Sequence, residues 1–273
     1  MLAVFTGILL LCSLLFNPNM IKNLVLLLVA MLLFIAADAQ KKDSASRTSY
    51  FMGSVSVTNN GLSLIPTFSL GKPASILVLA TGNGRFSFEP ELRFALEGKP
   101  WSFIFWWRYK LVQKEKFSLR VGAHPALNFR TQEVVMNGIT TKALVTRRFL
   151  TTELVPNYMV TKKTSVGLYY LYSYGLDDPL VQHRHFFTIN SVFSDVRLAG
   201  KYYMRIAPQV FYLRIGKEKG YFTTATVNIA KKNFPLSVGT ILNKRIEADI
   251  TGSKPFVWNV SLFYSFSKKY FKI

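Results

Sequence analysis

The sequence predicts an all-β fold, an antiparallel transmembrane β-barrel of about twelve strands preceded by a cleavable signal peptide. Three observations carry that expectation. An export signal stands near the start of the chain, and the residues beyond it alternate apolar and polar with period 2. The composition joins 50% hydrophobic and 15% aromatic residues to a formal charge of +20, from 34 Lys and Arg against 14 Asp and Glu. So much aromatic and aliphatic surface excludes disorder and must be buried against something.

The leader comes first. From Met20 the chain has a basic residue at Lys22, an apolar run from Leu24 to Ile35, and Ala37-Asp38-Ala39 ahead of Gln40. The run is short for a membrane span of roughly 20 residues, and its small-residue ending suits a signal peptidase. Residues 20–39 are therefore expected to be a signal peptide and 40–49 a short polar segment. Residues 1–19 carry no charge and end in Asn17-Pro18-Asn19, which fits an upstream extension from a misassigned start codon. A helical hairpin anchor made of both apolar runs is the competing reading. Leu9 to Cys12 resembles a lipobox, but Leu11 stands where a small residue belongs. Cys12 is the only cysteine, so the exported chain has no disulfide, cysteine zinc site or cysteine nucleophile.

Beyond the leader no stretch approaches 18 consecutive apolar residues, which excludes further transmembrane helices. Strand grammar replaces them. Phe86, Phe88, Pro90, Leu92, Phe94 and Leu96 share one face, with Arg85, Ser87, Glu89, Glu91 and Arg93 on the other. Trp101, Phe103, Phe105, Trp107 and Tyr109 oppose Ser102, Arg108 and Lys110. Phe117, Leu119, Val121, Leu127 and Phe129 oppose Lys116, Ser118, Arg120, His124, Asn128 and Arg130. The last strand sets Phe256, Trp258, Val260, Leu262, Tyr264 and Phe266 against Asn259, Ser261 and Ser265. Together with less regular segments, strands are expected near 50–58, 61–70, 84–96, 101–111, 116–130, 144–160, 165–175, 185–194, 196–214, 220–230, 235–243 and 255–267, giving a barrel over 50–267 and a tail at 268–273. Such lengths suit tilted strands crossing a bilayer. With the N-terminus in the periplasm, connections at 71–74, 112–115, 161–164, 195 and 231–234 fall on one side. The longer ones at 131–143, 176–184 and 244–254 fall on the other, the asymmetry expected of an outer-membrane barrel.

A soluble sandwich or lipocalin-like barrel also alternates with period 2. Lipid is favoured by aromatics gathered towards strand ends, an expected girdle of Trp101, Trp107, Tyr109, Trp258, Tyr264 and Phe266, and by more Phe, Leu and Trp than a small interior holds. Five prolines, Pro66, Pro90, Pro125, Pro156 and Pro208, fall inside strand patterns, where bulges, kinks or positions near the rim are expected to accommodate them. The stretch 74–81 is ambiguous between a strand extension, a hairpin arm and a short helix.

The run from Gly98 to Lys110 (GKPWSFIFWWRYK), the Ala37 to Gln40 leader end and the aromatic terminal strand ending at Phe266 resemble the small, porin-like outer-membrane barrels of the Bacteroidota. That resemblance implies the outer membrane of a Gram-negative bacterium, with membrane lipid and lipopolysaccharide around the barrel. The terminal strand resembles the signal read by the barrel assembly machinery, although the tail after Phe266 departs from an ending on a final aromatic. No agreed substrate or catalytic residue comes with it.

Chemistry is sparse. His124 shares a face with Ser118 and Asn128, but these lie roughly 13 to 20 Å away along the strand, too far for a Ser-His pair. His183-Arg184-His185 with Asp177 and Asp178 could hold a metal or an Asp-His pair, yet one loop supplies every ligand and Arg184 adds repulsion. No catalytic residue, metal or cofactor is expected, and export argues against nucleic acid as a partner. The expected role is a passive pore for small solutes, anionic ones included. An outer-membrane hydrolase, or a structural barrel with a plugged lumen filled by Trp106, Tyr169, Arg120 and Arg147, is the alternative. The expected lumen lining is basic: Arg85, Arg93, Arg108, Lys110, Lys116, Arg120, Arg130, Arg147, Arg197, Lys201 and Arg205, against Glu89, Glu91 and Glu153.

The exported protein should begin at Gln40. N-terminal sequencing of the outer-membrane fraction checks this, and recovery of residues before Met20 would support the hairpin anchor instead.

Overall fold

Residues 49–136, 139–177 and 183–270 are described by the structure, a computed structural model. The leader and residues 40–48 lie outside the described residues, as do 271–273. Twelve strands run in chain order: β1 Ser49–Thr58, β2 Ala74–Asn83, β3 Phe86–Ala95, β4 Pro100–Gln113, β5 Phe117–Met136, β6 Ile139–Met159, β7 Thr164–Gly175, β8 His183–Arg197, β9 Tyr202–Ile215, β10 Glu218–Lys231, β11 Leu236–Ala248 and β12 Phe256–Tyr270. Each pairs antiparallel with its chain neighbours, and β1 closes on β12 from Ser49 opposite Tyr270 to Thr58 opposite Ser261. The result is a closed barrel. Among the described residues no helix is long and apolar enough to cross a membrane, which says nothing against crossing by strands.

The expected strands correspond to the observed ones with one exchange. Residues 61–70 form no strand, and their place in the count is taken by β2, in the stretch whose sequence is ambiguous. Three expected connections differ. The one at 71–74, expected on the terminal side, belongs to the link after β1, which spans 59–73 and lies at the end away from the termini; the link after β8 falls at 198–201 instead of 195; and most of the long connection expected at 131–143 is strand, in β5 up to Met136 and in β6 from Ile139. The terminal end carries the short links 84–85, 114–116, 160–163, 198–201 and 232–235. At Gly84 a φ of +61 makes the two-residue link to β3 possible, since a side chain resists that conformation. β12 runs on to Tyr270, so part of the expected tail is strand paired with β1. At that seam the Phe266 ring lies over Gly53, where an added Cβ would come within 2.6 Å of it.

Alternation sorts the two faces. Val55, Val57, Leu150, Leu154, Ile189, Val210, Val238, Val260 and Leu262 lie exposed on the outside of the wall, while Ser56, Thr58, Asn128, Thr151, Glu153, Ser173, Thr188, Asn243 and Asn259 are buried inside. An apolar exterior over a polar interior is the inverse of a soluble domain, and it matches a wall facing hydrocarbon.

The prolines act differently from the expected bulges. Pro66 opens a 3-10 turn at Pro66–Phe68. Each of the other four coincides with a gap in one ladder while the ladder on its other side stays paired. Pairing of β3 with β2 breaks between Glu91 and Phe88, and that of β5 with β4 between Ala126 and Ala123. Pairing of β6 with β7 breaks between Leu154 and Asn157, and that of β9 with β8 between Gln209 and Ile206. A ring nitrogen has no hydrogen to donate, so the loss stays on the side it faces. Register shifts occur elsewhere, at Arg93/Phe94, Lys110/Val112, Tyr221/Phe222 and Phe193/Val196.

Outside the wall, Asp177 accepts from the Arg148 backbone N–H at 2.6 Å and from its guanidinium, which holds the Asp177 carboxyl below the usual carboxylate range.

A lysine on the lipid face near mid-strand costs roughly 2 to 4 kcal/mol, whereas on the inner face it should cost little. Phe105→Lys should therefore lose folding stability by that order in a membrane refolding titration, and Ser118→Lys should not. Equal tolerance would contradict the assignment of faces.

Candidate functional site

The link 59–73 folds into the barrel. Its base is pinned to β12: Val260 N–H donates to Asn59 Oδ1 (2.8 Å), Asn60 Nδ2 donates to the Trp258 carbonyl, and Thr58 Oγ1 donates to the carbonyls of Asn60 and Val260. The loop then closes on itself, with Gly61 N–H donating to Lys72 O and Leu70 N–H to Gly61 O, both at 2.7 Å. Ser69 Oγ accepts from Ser63 N–H at 2.9 Å and donates to Ser63 O at 3.0 Å. These bonds occupy backbone groups that a strand would have spent on a ladder.

What pulls the link inward is an apolar stretch of inner wall. Phe186 on β8, Phe211, Leu213 and Ile215 on β9, Phe222 on β10 and Ile250 form a buried cluster, and Leu64 and Ile65 pack against it. The Phe211 and Phe222 rings stack at 4.9 Å. Leu64 and Ile65 are adjacent in sequence, so no strand could place both on one face, but an inward loop can. This apolar wall carries the parity that elsewhere is polar.

The tip, Pro66–Phe68, is clasped by side chains from four strands. Arg130 Nη2 on β5 donates to the carbonyls of Thr67 (2.5 Å) and Ser69 (2.8 Å), and Trp101 Nε1 on β4 donates to Phe68 O at 2.8 Å. The Phe68 ring meets Phe149 of β6 edge-on at 5.0 Å, and the Arg184 guanidinium of β8 lies 4.7 Å from the Phe149 ring and 5.6 Å from the Phe68 ring. Trp101 corrects an expectation: it is 0% exposed and turned inward, not part of the outer girdle. The register shift at Arg93/Phe94 lets Trp101 and Ser102 both point in, and Arg93 covers the indole at 5.0 Å.

The tip separates two chambers. The outer one, about 540 Å³, is bordered by Thr67, Phe68, Gln132 and the cations Arg130, Arg147, Arg184 and Lys217. Its acidic neighbour among the described residues is Glu218, whose oxygens accept from the N–H and hydroxyl of Thr251. The inner chamber, about 340 Å³, has apolar walls from Leu62, Leu64, Ile65, Phe149, Leu171, Phe186 and Ile241 and polar ones from Ser102, His124, Asn128, Thr151 and Ser173.

Below it the three expected carboxylates are all engaged. Glu153, whose side chain is 0% exposed, accepts from Arg108 Nε at 2.8 Å and from Tyr169 Oη at 3.1 Å, with Arg120 Nε 3.2 Å away. Arg108 also donates to Glu89, which accepts from Ser87 Oγ, and Arg93 pairs with Glu91 at 2.7 Å. Arg108 lies 4.3 Å over the Trp106 ring, which meets the His124 ring at 4.0 Å. With Trp106 and Tyr169 these pairs brace the mid-section.

The remaining expected lining residues are spread along the terminal end. Lys110 faces Arg120 across β4 and β5, and Arg205 faces Asn228 across β9 and β10. Arg85 donates to Leu111 O, and Arg197 faces Tyr203 near the rim. Lys116 and Lys201 sit in links rather than strands. Of the girdle, Trp107, Tyr109, Trp258 and Tyr264 are exposed on the outer face, Trp107 against Phe88 at 4.3 Å, and Phe266 lies half-buried between Phe51 and Tyr264. Arg184 is a lining residue that the sequence reading misses, although it shares parity with Phe186 and Thr188 and that parity points inward.

Among the described residues no group of three or more His, Cys, Asp or Glu could hold a metal ion. His183 and His185 begin β8 and face outward, where their Nδ1 atoms meet the hydroxyls of Tyr172 (2.8 Å) and Tyr170 (2.9 Å), and Asp178 lies outside the described residues. Among the described residues no group is within hydrogen-bond geometry of buried His124 Nδ1 or Ser102 Oγ.

No protein-family model and no curated protein matches the chain. Solved structures to which it is similar include the KdgM porin in complex with disordered oligogalacturonate, at 13% identity and TM-score 0.48 over 80% of this chain and 99% of that one. The COG4313 outer membrane channel from Pseudomonas putida F1 is similar at 11% identity and TM-score 0.48 over 82% and 97%. LpxR from Salmonella typhimurium is similar at 10% and 0.43 over 78% and 99%. The likeness lies in the antiparallel barrel. With its closed wall, apolar exterior and polar, charged interior, the chain has the architecture of a twelve-stranded transmembrane β-barrel.

Proposed function

We propose that the barrel conducts small solutes passively and favours anions, through a lumen narrowed by residues 59–73. The observation that carries this reading is the outer chamber, whose described lining gathers Arg130, Arg147, Arg184 and Lys217 with one carboxylate, Glu218. Glu89, Glu91 and Glu153 are spent on Arg93, Arg108 and Arg120 farther in, so they do not offset those cations. Cations lining a confined, partly desolvated vestibule raise the local anion concentration and lower the entry barrier for anions. The run from Gly98 to Lys110 supports kinship with the small barrels of the Bacteroidota, and the outward aromatic row of β12 supports recognition by the barrel assembly machinery.

Reversal potentials across a KCl gradient in planar bilayers test the selectivity. Chloride preference is expected, reduced in Arg147→Glu/Lys217→Glu, and cation preference in the parent would overturn the reading. The narrowing is tested separately. Arg130→Ala removes two charge-assisted hydrogen bonds from the tip, each worth about 1.5 to 3 kcal/mol. Its single-channel conductance should rise about twofold or more, with added flicker, and unchanged current would show that the link does not limit flow.

A further inference from the structure

The outer wall on β7 to β10 carries an ordered set of rows that the pore does not use. Direct partners across these four strands, all facing outward near the end opposite the termini, are Tyr172, His185, Arg214 and Lys219. Two residues nearer the termini on every strand, the partners are Tyr170, Phe187, Tyr212 and Tyr221. Two further on they are Leu168, Ile189, Val210 and Thr223. A polar and basic row thus stands over an aromatic row, which stands over a largely aliphatic one, the sequence of environments from headgroup to acyl chain.

We propose that this face binds the phosphate groups of a membrane lipid, which in an outer membrane means the phosphorylated glycolipid of the outer leaflet. Arg214 stands directly opposite Lys219 on one side and His185 on the other. Like charges directly opposite in a sheet repel, and strands roughly 4.8 Å apart allow one phosphate to meet two neighbouring cations. Arg214 Nε donates to Gly216 O at 3.0 Å, a bond that does not use its terminal nitrogens, and the side chain is exposed. The hydroxyls of Tyr170 and Tyr172 occupy Nδ1 of His185 and His183, so Nε2 is the ring nitrogen left to meet a phosphate oxygen, as a donor in the tautomer whose Nδ1 accepts from the hydroxyl. Arg148, on the neighbouring strand, is held by Asp177.

The carboxylates nearby mark the border of the surface. Asp249 Oδ1 accepts from Lys219 N–H, Glu247 stands opposite Tyr221, and Glu218 is held by Thr251. On the other side of the barrel Lys72 and Lys99 both lie beside Glu97, at 3.7 and 3.8 Å, and so have a counter-charge already. The rows beneath the cations decide for a lipid over a free anion, because only a lipid also uses the aromatic and aliphatic surface on the same strands.

This surface does not depend on whether the lumen conducts. Native mass spectrometry of the detergent-purified barrel, with bisphosphorylated lipid A, dephosphorylated lipid A and inorganic phosphate as probes, tests it. Bisphosphorylated lipid A should be retained, and at least tenfold more weakly by His185→Gln/Arg214→Gln/Lys219→Gln. A control that removes charge from the opposite rim, Lys114→Gln/Lys162→Gln/Lys232→Gln, should bind as the parent does. The heat-dependent gel shift of an intact barrel verifies folding of both variants, whose altered side chains all lie on the outside. Equal retention by the first variant, equal retention of the dephosphorylated lipid, or displacement of the lipid by millimolar inorganic phosphate would overturn the proposal.

Discussion

The pairing of β1 with β12 is the constraint on which everything else depends. In hydrocarbon no water satisfies a free N–H or C=O, so a sheet can cross only if its last strand finds its first. Ten-residue β1 meets that need from Ser49 to Thr58, and the absence of a side chain at Gly53 leaves room for the Phe266 ring at the junction. Once the ring is closed, alternation assigns every strand residue to lipid or lumen. A change of wall chemistry then requires a local shift of register or a ladder gap.

Closure also creates a space that must be dealt with. About eight strands leave an interior that side chains can fill, and twelve leave more. This chain fills its interior in two ways. In the mid-section, Glu89, Arg108, Glu153, Arg120 and Tyr169 span the lumen as paired charges and hydrogen bonds, with Trp106 packed beneath Arg108. Towards the end opposite the termini, an apolar inner wall on β8 to β10 draws in residues 59–73, and Arg130 and Trp101 hold the tip by its carbonyls. Bonds to main-chain oxygens tie down the loop without neutralising Arg130, so the same residue closes the path and keeps its charge. A narrowing and a basic vestibule therefore come from one set of side chains.

The barrel was legible in the sequence because a half-buried strand must alternate, and most strands here do so for ten residues or more. What alternation could not show is a segment that alternates for another reason. Leu62, Leu64, Pro66, Phe68 and Leu70 have period 2, yet they belong to the inward link; the sign against a strand was Ile65, an apolar residue on the wrong parity, followed by proline. Trp101 was misplaced because one register shift reverses parity for the residues beyond it, and nothing in GKPW marks where the shift falls. The prolines read as distortions of the strand when their effect is confined to one ladder. Arg184 was hidden between two histidines that suggested a metal, while its own parity with Phe186 pointed into the lumen.

Residues 59–73 reside inside the closed barrel, against β6, in the membrane-embedded protein. Cross-linking tests it directly, since the only native cysteine, Cys12, lies ahead of Gln40. Cysteines placed at Phe68 and Phe149, whose rings are 5.0 Å apart, should be joined efficiently by a short bis-thiosulfonate reagent, giving a loop that survives proteolysis between them. The pair Phe68→Cys with Leu150→Cys, whose second member faces lipid, should not be joined. Failure of the first pair, or equal joining of both, would place the link outside the lumen.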